Sequence, residues 1–137
     1  MKLVFADTLY WIALDLERDS WHNETVELTQ RMEEVTLVTT DEVLTEYMTA
    51  LADRGEYFRA RAVSTVEILL KANDIIVLPQ SRNSFLEGLD LYRRRLDKEY
   101  SLTDCISMST CKRLGIVSVL TNDHHFSQEG LQVLITR

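Results

Sequence analysis

Four carboxylates carry the chemistry this sequence can do. Asp7 closes the apolar run Leu3-Val4-Phe5-Ala6, and Asp123 follows the run Val117-Ser118-Val119-Leu120. Glu46 lies in a helical pattern that opens just after residues 35–38, and Asp104 opens another in Ser101-Leu102-Thr103-Asp104-Cys105. If the apolar runs are parallel strands, two of these acids leave strand ends and two begin helices that lean over the same edge. Parallel sheets gather their ligands at that edge. Carboxylates brought together repel one another until a cation or a proton neutralises them. The implied chemistry is that of a divalent-metal site.

The elements that must position these acids follow from the hydrophobic pattern. Residues 2–6 read as a buried strand, 35–38 and 74–78 as branched apolar strands, with Pro79 stopping the latter. Residues 116–120 form a fourth strand and 131–135 a last short one. Helices are predicted over 8–14, over 21–34 with Ser20 as N-cap, and from Thr40 or Asp41 to near Gly55. Further helices follow over 56–72, over 82–99 capped by Ser81, and over 104–114 capped by Thr103 and ended by Gly115. Strands alternating with helices imply right-handed crossovers and a sheet covered on both faces. The expected fold is α/β: one domain over residues 1–137, an α/β/α sandwich on a mostly parallel four- to five-stranded sheet.

Bulk properties narrow the function classes. A hydrophobic fraction of 45% and a charged fraction of 27% suit an ordinary globular domain, and 137 residues suffice for one core. Four Gly and one Pro leave no room for long linkers. No apolar run approaches the roughly 20 residues that span a bilayer, and no signal-peptide core follows Met1-Lys2, so a cytoplasmic location off the membrane is expected. Cys105 and Cys111 stand more than a turn apart on one helix and should be reduced and buried; zinc would need further soft ligands nearby. The net charge of −7 argues against a general polyanion-binding surface. With four acids assigned to a cation the rest is only mildly negative, so RNA is not excluded as a substrate. A phosphatase-like start would need a second Asp where Leu9 stands, and the chain has no Walker loop, GxGxxG or nucleophile elbow.

The stretch Ser101-Leu102-Thr103-Asp104-Cys105-Ile106-Ser107, then Leu114-Gly115-Ile116, then Leu120-Thr121-Asn122-Asp123-His124-His125-Phe126, resembles PIN-domain ribonucleases. It is most like the VapC-type toxins of bacterial toxin–antitoxin pairs. Asp7-Thr8 and Glu46 agree with that family's first two acidic positions, so the resemblance spans about residues 3–134. Glu46-Tyr47-Met48-Thr49 departs from it, since relatives often carry a small polar residue such as Asn there. The resemblance implies a Mg2+- or Mn2+-dependent endoribonuclease, commonly a homodimer, held inactive by a cognate antitoxin protein. It further implies structured RNA substrates such as tRNA or ribosomal RNA.

On this reading Asp7, Glu46 and Asp104 are the main ligands of one Mg2+ (or Mn2+), an ion that usually keeps several waters. Asp123 completes the site through water or helps hold a second ion. The ion activates a water for in-line attack on phosphorus and stabilises the leaving 3′-oxygen. Thr8, Thr103, Thr121 and Asn122 are candidates to hold water or a phosphate oxygen beside the acids. Arg93, Arg94, Arg95 and Lys98 form a candidate RNA-contacting edge, and Arg54, Arg59 and Arg61 a second.

Plainer roles compete with each assignment. Asp104 would also serve as a first-turn acid, Asp7 as a turn residue and Asp123 as a cap. Glu42, one turn before Glu46 on the same face, is a rival ligand. The arginine run, interleaved with Asp97 and Glu99, also suits a solvated helix face. His124-His125 read as loop residues rather than ligands, because adjacent side chains diverge and His22 is remote in sequence. Trp11 and Trp21 read as packing or dimer contacts, and Phe126 as core. The alternative functions are a catalytically inactive binding or scaffold module and a housekeeping RNA-processing nuclease.

Overall fold

Five short apolar runs become the strands of one parallel sheet. The computed structural model describes residues 2–137. The strands are β1 (Lys2–Ala6), β2 (Val35–Thr40), β3 (Ile75–Leu78), β4 (Ser118–Leu120) and β5 (Gln132–Val133), in the order β3-β2-β1-β4-β5. Every neighbouring pair is parallel. Between them run α1 (Thr8–Asp15), α2 (His22–Arg31), α3 (Asp41–Leu51), α4 (Glu56–Lys71), α5 (Arg82–Arg94), α6 (Leu102–Leu114) and α7 (His125–Gln128). The central strands are covered on both faces: Val4, Phe5, Val38, Val119 and Leu120 are almost wholly buried. That is why their sequences are continuous apolar runs rather than alternating ones. The expected α/β class and parallel sheet are found, with five strands.

The boundaries differ from expectation where side chains made contacts that periodicity does not carry. Strand β2 continues through Thr39 and Thr40, because the Thr39 hydroxyl donates to the Ala6 carbonyl (2.9 Å) and accepts from the Trp11 indole N–H (3.3 Å). Thr40 then caps α3, accepting from the Val43 N–H at 3.1 Å. Ser20 does not cap α2; its N-cap is Trp21, without a side-chain cap bond, and Trp21 lies 3.9 Å beneath the Arg137 guanidinium. Helix α5 ends at Arg94 rather than residue 99, since the chain turns there and Arg95 reaches away to Glu129. Ser101, not Thr103, caps α6. Gly115 closes α6 at φ 69°, a left-handed conformation that suits glycine.

Trp11 and Phe126 are core residues, and both cysteines are buried and free. Among the described residues no helix is long and apolar enough to cross a membrane.

Candidate metal centre

The chain leaves β1 for β2 on one side, and only after β3 does it return to lay β4 on the other. A reversal of this kind opens a crevice beyond the carboxyl ends of the two strands that flank it. Phe5 pairs with Val119 and Ala6 with Leu120, so Asp7 and Thr121 emerge from the sheet side by side. The Asp7 N–H donates to the Leu120 carbonyl at 3.2 Å, which fixes the exit of β1.

Asp7 is only 4% exposed. It occupies the N-cap position of α1, yet its side chain makes no capping bond. Its Oδ2 accepts from the Thr121 hydroxyl at 2.9 Å, while Oδ1 is buried with no hydrogen-bond partner from the protein. Thr121 Oγ1 also accepts from the Asp123 N–H at 3.1 Å, so one threonine ties Asp7 to the loop that carries Asp123. Asp123 in turn accepts from the His125 N–H through Oδ1 at 2.9 Å.

Asp104 enters the crevice from the first turn of α6. A reciprocal cap holds it: its Oδ2 accepts from the Ser101 N–H (3.1 Å), and Ser101 Oγ accepts from the Asp104 N–H (3.0 Å). The first-turn role open to Asp104 is therefore met through this capping box, and it coexists with its place at the crevice. Asp104, Asp123 and His125 offer ligand atoms that all lie within 4.8 Å of one another.

The acids of α3 divide in two. Glu42 accepts from the Ser84 hydroxyl at 2.9 Å, and Asp41 accepts from the Gln80 N–H at 2.9 Å, so both face the β3–α5 connection. Glu46, half-buried, lies near enough for its charge to act on both Asp7 and Asp104.

The charges of these groups act on one another. Burial, with smaller contributions from the charges of Asp104 and Glu46, raises the Asp7 carboxyl to about 7, against the lowering effect of the Thr8 backbone N–H and the Thr121 hydroxyl. Burial likewise raises Asp104, helped by Asp123 and Glu46 and opposed by Ser101. A buried carboxylate oxygen without a donor is stable only protonated or against a cation. The carboxylate oxygens suit a hard divalent ion, and the bonds from Thr121, Ser101 and the His125 N–H orient the remaining ones. The residues fit Mg2+ or Mn2+.

The other sequence candidates fall in varied places. The Thr8 hydroxyl is buried beside Asp7 without a partner; Thr103 and Asn122 are half-buried. Arg93 and Arg94 pair with Asp90 (3.4 and 3.0 Å), and Lys98 with Asp97 (3.4 Å), all on exposed surface. Arg95 differs. It grips Glu129 through two nitrogens (2.8 and 3.2 Å), and the Tyr100 hydroxyl donates to the same carboxylate at 2.9 Å. Arg95 thus fastens the segment after α7. In the second basic set, Arg61 pairs with Asp15 at 2.9 Å. The residue that sequence reasoning set aside and the fold brings in is His125. Its signal was its position two residues after Asp123, where an Asx-type turn can fold it back.

A parallel sheet with acidic side chains gathered at its switch point places the chain among the α/β domains. The PIN domain family matches residues 4–130, and the chain belongs to that family. Among solved structures it is similar to the Mycobacterium tuberculosis toxin VapC20, described as cleaving the sarcin-ricin loop. That likeness has a TM-score of 0.86 and 23% identity, covering 97% of this chain and 99% of that one. FitAcB of Neisseria gonorrhoeae (TM-score 0.68, 17% identity, 96% of each chain) and VapBC2 of Rickettsia felis bound to a promoter DNA fragment (0.66, 13%, 96% of each) share the fold. No curated protein matches by sequence.

Proposed function

We propose that this protein is a Mg2+- or Mn2+-dependent endoribonuclease, the toxin of a toxin–antitoxin pair, acting in the cytoplasm as a homodimer. The observation that carries the reading is the buried, unpartnered Oδ1 of Asp7 in a crevice shared with Glu46, Asp104 and Asp123. In this role Asp7, Glu46 and Asp104 hold the ion, and Asp123 contributes through water or toward a second ion. When bound, the ion supplies an activated water and stabilises charge on the leaving 3′-oxygen. Thr121 keeps the Asp7 carboxylate turned into the crevice, and Ser101 does the same for Asp104. Asn122, Thr103 and the Thr8 hydroxyl are the nearby polar groups for a phosphate oxygen or water. Arg93, Arg94 and Lys98 hold their carboxylates only at the exposed surface, so phosphates of an RNA backbone can replace them.

Structured ribosomal RNA is the first substrate to try, a choice supported by the description of the M. tuberculosis relative. A protein antitoxin is supported by the likeness to VapBC2, FitAB and Haemophilus influenzae VapBC-1. Total cellular RNA is incubated with purified protein and Mn2+, beside Asp7→Asn and a chelator control. Discrete fragments with 5′-phosphate and 3′-hydroxyl ends, lost in both controls, are expected. Absence of both cleavage and metal binding would instead mark an inactive binding module.

A further inference from the structure

One group at the crevice has no task in the mechanism above. His125 lies two residues beyond Asp123, and its own N–H holds the Asp123 carboxylate at 2.9 Å. That bond folds the short α7 back so that the imidazole joins Asp104 and Asp123, with all three ligand atoms within 4.8 Å of one another. Two ligands on one ion, each about 2.1 Å from it, lie at most about 4.2 Å apart. Closing onto a shared ion needs only small side-chain adjustments. His125 Nδ1 is buried and makes no hydrogen bond; its contact with Asp123 Oδ1 at 3.2 Å is an ion pair only when the ring is protonated. The ring also has a firm backing. The edge of Tyr100 meets it at 5.5 Å between centroids, and Tyr100 is itself held by Glu129 and Arg95. Neighbouring His124 is exposed. Independently of this trio, Asp7 presents an orphan oxygen, nine-tenths buried, to the same acidic crevice.

We infer that His125 supplies a nitrogen ligand to a divalent ion shared with Asp104 and Asp123, and that the site therefore selects Mn2+ over Mg2+. The inference rests on the metal-site reading given under the proposed function. Its chemistry is simple: Mg2+ dehydrates reluctantly and takes oxygen, whereas a first-row transition ion accepts imidazole readily. Four carboxylates alone would give no such preference for nitrogen-binding ions.

Pulsed electron paramagnetic resonance of the Mn2+-loaded protein detects nitrogen bound to the ion, a signature that neither packing nor a His–Asp ion pair produces. Wild type and His124→Ala should show the imidazole coupling, and His125→Ala and His125→Gln should lack it. By calorimetry the two His125 variants should lose at least about tenfold in Mn2+ affinity, as much as removing an outer partner of a ligand typically costs, with a smaller loss for Mg2+. Metal-free melting curves show that each variant is folded. Mn2+ bound by wild type without nitrogen coupling would overturn the role of His125 and leave the carboxylate site standing. Coupling that persists in both His125 variants would overturn it as well. Failure of wild type to bind Mn2+ at all would overturn the metal-site reading and this inference together.

Discussion

Replacing Asp7 by Asn should make the metal-free protein more stable at neutral and alkaline pH, although the residue is proposed to be indispensable for activity. The folded-state carboxyl sits at about 7 against an ordinary value of 3.8, chiefly because it is buried and then because Asp104 and Glu46 face it. Each unit of difference corresponds to about 1.4 kcal/mol, so the ionised group opposes folding by about 4 kcal/mol once the pH exceeds the folded value. The direction follows from proton binding. Between about pH 4 and 7 the folded state holds a proton that the unfolded state has lost, so stability falls as pH rises; below that window the opposition vanishes.

Asparagine removes the charge and keeps an acceptor for the Thr121 hydroxyl. Its amide, however, occupies the place of the orphan oxygen, and an unsatisfied N–H costs about 1–3 kcal/mol. The net gain at pH 8 is then about 1–3 kcal/mol. For a chain of this size that corresponds to a Tm rise of roughly 3–10 °C. At pH 4.5 the variant should melt at or below wild type. Calorimetric melts of both proteins in chelator, at pH 4.5, 6 and 8, give the difference directly, and contributions of other groups largely cancel in it. A variant that melts no higher than wild type at pH 8, or a gap that does not widen with pH, would refute the crowded, buried carboxylate.

Millimolar Mg2+ or Mn2+ should raise the Tm of wild type and leave Asp7→Asn unchanged; equal shifts would place binding elsewhere. Arg93→Ala should leave the Tm unchanged and weaken RNA binding with a shallower salt dependence, read by filter binding at several salt concentrations. Arg95→Ala should lower the Tm instead, because it releases Glu129 and loosens the segment beyond α7. Gly88→Ala should destabilise by about 1–3 kcal/mol in denaturant titration, since a Cβ there would clash with the Ile106 side chain of α6.

Much of this architecture is legible in the chain because the doubly covered sheet forces strands such as Leu3-Val4-Phe5-Ala6 to be apolar throughout. Pro79 and Gly115 punctuate it where backbone geometry demands. What was not legible depended on partners distant in sequence. Thr39 looks like a polar residue ending a strand until its hydroxyl is seen bridging Ala6 and Trp11. Ser101 and Thr103 are equally good caps by type, and only the reciprocal bond with Asp104 distinguishes them. Arg95 belongs to a basic run by sequence, yet its neighbour is Glu129, thirty-four positions on.

The site shows the same division. Asp7, Asp104 and Asp123 announce themselves by following or opening an element. Glu46 is preferred to Glu42 on the family resemblance, and the contact the sequence does not carry is the Ser84 hydroxyl that engages Glu42. His125 escaped because adjacent histidines on an extended chain diverge; the Asp123 carboxylate turns the backbone and brings only one of them in.

The most direct test follows ion binding and RNA cleavage in a single Mn2+ titration of wild type and Asp104→Asn. Cleavage that rises in step with ion occupancy in wild type, with both lost in the variant, is the expected result. Cleavage that persists in Asp104→Asn, or that proceeds in wild type with chelator and no bound ion, would contradict a metal-dependent nuclease built on the four carboxylates.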